Sequence, residues 1–364
     1  MIDRLFIVSA ALLVGSFVQT AAQPKATWLA KEHDFGAFAE DLGSVEAKFY
    51  LVNTGDQPLS IIKARANCGC TVPKFTEGEI APGDTAVLTV SYLASGRPGK
   101  FSKKIYVNTS ADPRLQQTLT VSGTVVGASQ TVRSRFPVDA GQLQLRDRTV
   151  AFGEVLSGKL KTVSLPAYNL TTEDLYPVIV GMPDYLKVSI SPEIVPPGEQ
   201  VNFSFTLDSS KLPEWGINMA DFSLIPTAGA DSVPLSAFVI MTENFNSLTP
   251  GQRMNAPHID IEPARIDLGM IPAGGEPQTV KFTISNSGNN PLLIRRIQAI
   301  DSAVTDVKIS SKKIKKGKTA TLTLTVDPSE SQSEIINTRV SITANDPDNS
   351  VSIVRVTAEL ISEK

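Results

Sequence analysis

The sequence predicts an all-β protein built as three tandem antiparallel β-sandwiches. One turn, followed by alternating apolar and polar residues, occurs as PGDTAVLTV at 82–90, PGEQVNFSF at 197–205 and KGKTATLTL at 316–324. A period this constant indicates one structural plan used three times rather than a single large fold. The 24 glycines and 24 prolines lie between short alternating stretches, which is typical of strands joined by many turns.

Two further landmarks keep the same spacing. Each repeat begins with an apolar residue and a glycine, at Phe35-Gly36, Phe152-Gly153 and Leu268-Gly269, and its second strand ends at Asn53, Asn169 or Asn286. In the first and third repeats, a glycine follows the asparagine two positions later. Because asparagine and glycine both tolerate positive φ, we expect them to form a tight reversal. The middle repeat lacks this glycine, and Pro166 in its second strand predicts an edge strand or a bulge.

The repeats set the expected domain boundaries. These are a signal peptide at 1–22 and sandwich domains at 24–127, 140–242 and 257–364. Each domain has about 100 residues, enough for a hydrophobic core of its own. The polar linkers at 129–141 and 243–256 predict some bending between neighbouring domains.

The N-terminus predicts an export signal. Arg4 precedes an apolar run from Leu5 to Val18, and small residues then lead to an expected cleavage site after Ala22. The run is short for a membrane-spanning helix, although a retained anchor is the alternative. Cleavage would leave a mature chain without a transmembrane segment in the periplasm, outside the cell or at its surface.

Composition narrows the class of function. The formal net charge is −3, whereas nucleic-acid binding requires a basic face, so we expect no nucleic-acid partner. The two histidines, His33 and His258, lie in different repeats. The sequence contains no nucleophile-elbow motif and no phosphate-binding glycine loop ahead of a helix. We therefore expect no enzyme and no cofactor.

Cys68 and Cys70 are the main candidates for chemistry, and three interpretations are open. They lie one residue apart after a strand predicted at 59–64, where they could form a disulfide or a buried thiol pair that fixes a turn. They could also form a cramped and easily reduced bridge, or bind Cu(I) or zinc as thiolates. A closed zinc site would lack ligands, since the first mature repeat has no methionine and only His33. The other repeats have no cysteine, which indicates that the fold does not require a bridge.

Two surface features complete the candidates. A tripeptide of aspartate, a hydroxyl residue and an apolar residue occurs in each repeat and resembles the O-glycosylation acceptor of some Gram-negative bacteria. Its hydroxyl residues are Thr85, Ser232 and Ser302. The lysine-rich run at 312–318 could bind an acidic glycan or an anionic lipid surface. Its alignment with the Pro-Gly turn of the other repeats instead favours a solvated strand edge and turn, where lysines discourage aggregation.

Several of these motifs resemble Hydin/ASPM-like immunoglobulin domains. They are the apolar-glycine start, the N-x-G-x-x-P-L stretch of the first and third repeats, and the later Pro-Gly turn. The first repeat, with ANCGCTVP at 66–73, is similar to a family of exported bacterial proteins of unknown function. The resemblance implies three tandem immunoglobulin-like antiparallel β-sandwiches and no established activity.

These features together predict a non-enzymatic interaction or scaffold protein of the bacterial envelope. We expect unidentified protein or glycan partners to bind at exposed strand edges or loops. One alternative is a thiol-redox or copper-handling protein that uses Cys68 and Cys70. A further alternative, an envelope chaperone, rests on analogy of fold alone.

Overall fold

A computed structural model describes residues 23–127 and 130–361. They form two compact units, one on each side of residues 128–129. The first unit contains one β-sandwich and the second contains two, so the predicted fold class of three tandem immunoglobulin-like sandwiches is confirmed. Within the described residues, no helix reaches the length and apolar character that a bilayer crossing requires. The expected signal peptide lies outside these residues.

The first sandwich packs two four-stranded sheets face to face. Its strands are β1 (Ala26–Trp28), β2 (Glu32–Ala39), β3 (Ser44–Asn53), β4 (Ile61–Ala66), β5 (Thr71–Phe75), β6 (Thr85–Leu93), β7 (Gly99–Thr109) and β8 (Asp112–Val126). The strand orders are β1-β3-β6-β5 and β2-β8-β7-β4. A 3-10 helix at Glu40–Leu42 connects β2 to β3.

The second sandwich follows a short helix, α1 (Gln130–Arg135). Its strands are β9 (Val138–Ala140), β10 (Leu143–Leu145), β11 (Thr149–Leu156), β12 (Leu160–Asn169), β13 (Val178–Val180), β14 (Leu186–Ser191), β15 (Gln200–Asp208), β16 (Gly216–Ile225) and β17 (Val233–Thr242). The strand orders are β14-β15-β12-β10-β9 and β11-β17-β16-β13. A 3-10 helix at Ser209–Lys211 follows β15.

The third sandwich follows helix α2 (Pro250–Met254). Its strands are β18 (Ile259–Glu262), β19 (Arg265–Pro272), β20 (Gln278–Asn286), β21 (Leu292–Ala299), β22 (Val304–Ile309), β23 (Lys313–Ile314), β24 (Thr319–Val326), β25 (Ile335–Ala344) and β26 (Val351–Ile361). The strand orders are β18-β20-β24-β22 and β19-β26-β25-β21-β23. A 3-10 helix at Pro328–Glu330 follows β24.

The apolar-glycine landmark of each repeat is an irregularity on a parallel strand. β2, β11 and β19 run parallel to β8, β17 and β26, in addition to the antiparallel ladders that the sequence predicts. The pairing register shifts at or next to Gly36, Gly153 and Gly269, whose φ angles are 65°, 64° and 67°. A bulge with a left-handed backbone favours glycine, which explains why the landmark recurs.

Each sandwich has its own hydrophobic core between its two sheets. The strand that ends at the landmark asparagine supplies a buried residue four positions earlier. These residues are Phe49, Leu165 and Phe282. In β20 and β24 the predicted inward alternation is confirmed, since Val280 and Ile284 are buried on one strand and Leu322 and Leu324 on the other.

The landmark asparagine is buried in every sandwich and its side chain holds two loops. The Asn53 Nδ2 atom donates to the carbonyl oxygens of Gln57 at 2.8 Å and Ile80 at 2.9 Å. Its Oδ1 atom accepts from the Gly55 backbone at 3.1 Å. The backbone N–H of Gly83, in the Pro-Gly turn, donates to the Asn53 carbonyl at 2.9 Å. One side chain therefore connects the end of β3, the loop that follows it and the turn before β6.

The same hydrogen bonds recur in the other two sandwiches. Asn169 Nδ2 donates to the carbonyl oxygens of Glu173 at 2.8 Å and Val195 at 2.9 Å. The equivalent acceptors for Asn286 are the carbonyls of Asn290 and Ile314, both at 2.9 Å. The repeated asparagine therefore holds the same two loops in all three sandwiches. We call this shared arrangement of strands, loops and hydrogen bonds the frame.

Our sequence-based reason for the Asn-x-Gly turn is wrong. No non-glycine residue among those described has a positive φ, and Gly55 and Gly288 are not among the glycines that do. A Cβ atom at Gly55 would collide with the backbone of Gln23 and Lys25, and one at Gly288 would meet the backbone that enters the third sandwich. Close approach of the chain, rather than positive φ, requires glycine there.

The prediction of an edge strand at Pro166 is also corrected. β12, which contains it, is a central strand between β15 and β10. However, the paired segment of β10 ends at Leu145, opposite Ala167, so it stops one residue short of Pro166. The Arg146 N–H still donates to the Pro166 carbonyl at 3.3 Å, so the proline lies at the end of the ladder with β10, where a missing N–H is tolerated.

Side chains of the third sandwich dock onto the backbone of the second. The Gln298 amide pairs with Ile217, donating to its carbonyl at 2.8 Å and accepting from its N–H at 2.7 Å. Arg296 also donates to the Ile217 carbonyl at 3.1 Å, and its guanidinium lies 2.6 Å from the Glu214 carboxylate. These contacts oppose the bending that the linker at 243–256 predicts.

A second group of contacts also holds the second and third sandwiches together. The Arg295 guanidinium lies 5.4 Å from the centre of the Trp215 ring and 2.7 Å from the Glu243 carboxylate. Gly216 has a φ of 75°, and a Cβ atom there would fall 2.6 Å from Gln298 Oε1 and 2.7 Å from the Thr343 hydroxyl. Glycine at this position therefore allows the two sandwiches to approach.

We expect Asn53→Ala to lower the free energy of unfolding of the first sandwich by about 2–4 kcal/mol, because it removes the three hydrogen bonds of a buried amide, to the Gln57 and Ile80 carbonyls and from the Gly55 N–H. Urea unfolding followed by Trp28 fluorescence, in a Trp215→Phe background, measures this loss. The control is Asn108→Ala, which removes one exposed bond to the Pro113 carbonyl and should cost less than about 0.5 kcal/mol. Equal losses for the two variants would contradict the structural role of Asn53.

Candidate functional site

Cys68 and Cys70 lie where the chain crosses between the two sheets of the first sandwich. β4 is the edge of one sheet and ends at Ala66, whereas β5 is the edge of the other and begins at Thr71. The crossing at 67–70 carries both cysteines. Their sulfur atoms are bonded, and their Cα atoms are 5.4 Å apart.

The two cysteines differ in their access to solvent. Cys70 is buried against the core, while Cys68 is half-buried and Gly69 between them is exposed. Apart from its two cysteine neighbours, no residue has an atom within 4 Å of the place that a Cβ at Gly69 would occupy. The Thr71 hydroxyl lies 3.5 Å from Cys68 Sγ and 3.8 Å from Cys70 Sγ. The bridge therefore joins one buried and one partly exposed cysteine.

Two backbone hydrogen bonds at the cysteines help to hold the crossing in place. The Thr71 N–H donates to the Cys68 carbonyl at 3.4 Å, and the Leu93 N–H donates to the Cys70 carbonyl at 2.9 Å. The second bond ties the crossing to the end of β6. Neither bond involves a sulfur atom.

The other sandwiches make the same crossing without cysteine. In the second, the carbonyls of Pro183 and Tyr185 accept the two equivalent bonds, at 3.0 and 2.9 Å. In the third, the carbonyls of Asp301 and Ala303 accept them at 3.2 and 2.8 Å. There the Asp301 carboxylate also accepts from the Ala303 N–H at 2.9 Å. The backbone thus forms the crossing, and the disulfide is an addition of the first sandwich.

The cysteine crossing lies in an electropositive region. Residues 57–76 and 99–109, which include β4, β5 and β7, contain no aspartate or glutamate. Their cations are Lys63, Arg65, Lys74, Lys100, Lys103 and Lys104. The Lys104 carbonyl accepts from the Asn67 N–H at 3.2 Å, and Lys103 is half-buried at an inward position of β7. Nearby positive charge favours a cysteine thiolate over the thiol.

An aromatic pair forms part of the core beside the crossing. Tyr92 pairs with Thr71 in register, and its ring stacks on Phe101 with centres 3.7 Å apart. Burial raises the pKa of the Tyr92 phenol, and the nearby Arg97 partly opposes this effect. The phenol therefore stays neutral and adds no negative charge to the region.

The histidines and possible metal ligands are dispersed. Among the described residues, no group of three or more histidine, cysteine, aspartate or glutamate side chains is placed to hold a metal. The His33 ring packs against Phe35, with ring centres 4.7 Å apart. His258 Nδ1 lies 3.2 Å from the carboxylate of buried Asp346. Within the first sandwich, the ring contact of His33 is thus with Phe35 and not with the cysteines.

The three hydroxyl residues of the proposed glycosylation tripeptides are exposed but not equivalent. Thr85 is the first residue of β6, and Ser232 lies just before β17. Ser302 lies in the crossing of the third sandwich, at the position of Gly69, and its hydroxyl donates to the Glu330 carbonyl at 2.7 Å. The tripeptide therefore recurs in the sequence but occupies a different structural position in each sandwich.

The lysine-rich run forms a short strand at the edge of a sheet. Lys313 and Ile314 make up β23, which pairs with the beginning of β21. Ile314 is buried, whereas the lysines around it are exposed. This placement agrees with the interpretation of the run as a solvated strand edge.

The strand before each crossing differs most among the three sandwiches. To compare the three strands, we align them on the buried leucine that lies six residues after each landmark asparagine. One extra residue, which forms a bulge, is skipped in β4 and in β21. The pairs are Lys63 and Arg65 on β4, Val178 and Val180 on β13, and Arg296 and Gln298 on β21. The first pair is charged, the second is apolar and exposed, and the third contacts the second sandwich.

The fold and the repeated frame define a tandem immunoglobulin-like protein. Its sequence matches the DUF1573 family, described as a protein of unknown function, over residues 26–125 and 259–360. Because the match covers more than half of the chain, the chain belongs to this family, with one copy in the first sandwich and one in the third. The second sandwich lies outside both matches. No curated protein matches the sequence.

Several solved structures are similar over long stretches. A protein of unknown function from Porphyromonas gingivalis W83 is 21% identical, with a TM-score of 0.48, over 60% of this chain and 100% of that chain. A three-domain fragment of titin, I67–I69, is 11% identical over 94% of this chain and 100% of that chain, with a TM-score of 0.30. An endo-fucoidan hydrolase of glycoside hydrolase family 107 has the same identity and TM-score over 94% of this chain but 45% of its own.

We expect Cys68→Ser/Cys70→Ser to leave the first sandwich folded. The free energy of unfolding should fall by no more than about 2 kcal/mol, because the bridge closes a very short loop and the backbone bonds of the crossing remain. Circular dichroism and urea unfolding measure the outcome. Loss of cooperative unfolding in the double variant would show that the crossing depends on the bridge.

Proposed function

We propose that this protein is a non-enzymatic interaction and scaffold protein of the bacterial envelope. The observation that carries the proposal is that three sandwiches share one internal frame but differ at one strand edge. In the third sandwich this strand already docks onto a neighbour, through Arg296 and Gln298. Sandwich folds commonly keep their frame and place recognition on edges and loops. The edges of the first and second sandwiches are therefore the expected contact surfaces.

The sequence motifs support the cellular place of this function. The N-terminal apolar run and the expected cleavage after Ala22 support export to the periplasm, the cell surface or the medium. The apolar-glycine and Asn-x-Gly motifs, with the C-G-C-T motif at 68–71, support a grouping with exported Hydin/ASPM-like immunoglobulin domains. The proposed partners are proteins or glycans rather than nucleic acids, and the proposal requires no cofactor.

Photo-crosslinking in the producing cells tests the interaction function. A photoreactive phenylalanine derivative is placed at Lys63 or Val180, on the two free edges, and at Lys48 or Leu160, which are exposed elsewhere. We expect discrete adducts with envelope components from the edge positions and none from the controls. If neither edge position gives a discrete adduct, the interaction function is wrong.

Thiol–disulfide exchange at Cys68 and Cys70 is a second candidate function. The specific observation is that the backbone bonds of the crossing recur in the other sandwiches without a bridge, and that the neighbouring strands β4, β5 and β7 carry cations and no acids. A partner thiolate would attack one sulfur, and the other would leave as a thiolate; a second partner thiol would then complete a two-electron reduction. The half-buried Lys103 would stabilise the leaving thiolate. Copper handling is less supported, because the reduced pair offers only two sulfur ligands.

Equilibration of the mature protein in thiol–disulfide buffers tests this second function. Exchange chemistry predicts a reduction potential above about −300 mV, the upper range of structural disulfides. Because Lys103 would stabilise the reduced form, Lys103→Met should lower the potential by roughly 30 mV, a tenfold change in the equilibrium constant. Lys48→Met, on the outer face of the other sheet, should change it little. A wild-type potential below about −300 mV would rule out the exchange function.

A further inference from the structure

The second sandwich has an apolar groove along its open side. β13 is the edge strand of one sheet and β14 is the edge strand of the other. Between them lies a groove of about 510 Å³, which is within the range of roughly 300–1,000 Å³ usual for ligand sites. Its walls include Tyr176 and Val178 on one side, Val188 and Ile190 on the other, and Glu193 at the rim. Val188 and Ile190 also pack against the core, so the groove opens toward the space between the sheets.

The residues around the groove are exposed to an unusual degree. The exposed fractions are 52% for Tyr176, 48% for Val178, 42% for Val180 and 46% for Ile194. Tyr176, Val178 and Val180 occupy alternate positions of one segment. Ile194 lies beside this segment because Leu175 and Val195 form a bridge. A continuous apolar patch of this kind on a soluble domain marks a binding surface.

The backbone of β13 is also available for pairing. β13 pairs with β16 on one side, and no other described strand pairs with it. Soluble proteins usually protect such an edge with charged side chains or cover it with another segment. The first sandwich has Lys63 and Arg65 at the equivalent positions, and in the third β23 pairs with the beginning of β21. β13 has neither protection, although it occupies the same place in the frame.

Acidic side chains flank the groove at both ends. Glu193 lies at the rim at one end, opposite Pro177 in the register that the antiparallel bridge of Leu175 and Val195 sets, and Asp174 precedes Leu175 on the far side of that bridge. Asp184 lies in the turn after β13, at the other end, and is exposed. Lys187, on β14, is the one cation in residues 170–195. The charge of this edge therefore favours a ligand with basic ends.

We propose that the β13–β14 edge binds an extended peptide with an apolar centre and basic ends by strand addition. This inference rests on the proposed interaction function and names the partner chemistry for one edge. The peptide backbone pairs with β13, one set of its side chains enters the groove beside Val178, and the other covers the exposed Val180. A second copy of this chain fits less well, because a three-residue strand buries little of the roughly 1,200 Å² that a stable dimer interface needs.

Fluorescence anisotropy with the mature chain and a labelled, capped peptide KKVIVKK tests the proposal. We expect saturable binding that weakens as salt is raised, because charge contributes to it. Two control peptides keep the length: EEVIVEE reverses the charge of the ends, and KKVPVKK removes a backbone donor from the centre. Each should bind at least tenfold more weakly than KKVIVKK.

The matched protein variants are Val178→Lys/Val180→Lys and Leu160→Lys/Met219→Lys. The first pair gives β13 the charged character of β4 and should weaken KKVIVKK binding at least tenfold. The second adds the same charge at two apolar residues that are exposed elsewhere on this sandwich and should leave binding within about twofold of wild type. Circular dichroism checks that both variants are folded.

Three outcomes would overturn the proposal. They are no binding of KKVIVKK to the wild type, equal binding to the β13 variant, or a wild-type dimer that the β13 variant converts to a monomer. The last result would assign the edge to a second copy of the chain. Crosslinks from Lys63 that persist while peptide binding fails would reject this site but leave the interaction function intact. If neither the Lys63 crosslinks nor binding of KKVIVKK is observed, the interaction function is rejected as well.

Discussion

The buried asparagine at the end of the second strand is the interaction on which each sandwich depends. Its amide group binds two carbonyl oxygens from different loops, and its carbonyl oxygen accepts a backbone N–H two residues later. A buried amide is tolerated because every one of these groups is paired. The side chain thereby fixes the loop after the strand against the turn that begins the later strand. The two sheets of each sandwich are therefore held in position relative to this asparagine.

A frame held in this way leaves the strand edges free to differ. Asn53, Asn169 and Asn286 make equivalent bonds, while the nearby edge strands carry charged, apolar or docked side chains. The crossing between the sheets shows the same freedom. A disulfide, a Pro183 turn and an Asp301 turn all fit the same two backbone hydrogen bonds. Functional differences among the sandwiches are therefore expected at these edges and crossings.

Two errors of sequence interpretation have one physical origin. The glycine of the Asn-x-Gly turn was assigned to positive φ, but Gly55 and Gly288 are needed because another segment passes close to them. Pro166 was assigned to an edge strand, but it lies in a central strand beside the end of a short neighbour. In both cases the sequence showed correctly that glycine or proline has a structural reason to be at the position. The reason itself is a neighbouring segment that is distant in sequence. Local propensity cannot identify such a neighbour.

The sequence by itself determined the fold class, the threefold repeat and the inward residues of strands such as β20 and β24. These features follow from a constant period and from side chains that alternate between the two faces of a strand. Only the tertiary structure decided which edges remain open, that Gln298 pairs with Ile217, and that β7, with its lysines, pairs with the strand that leads to the cysteines. Those features depend on strand order and register, which bring together residues far apart in the chain. No local sequence pattern records that pairing.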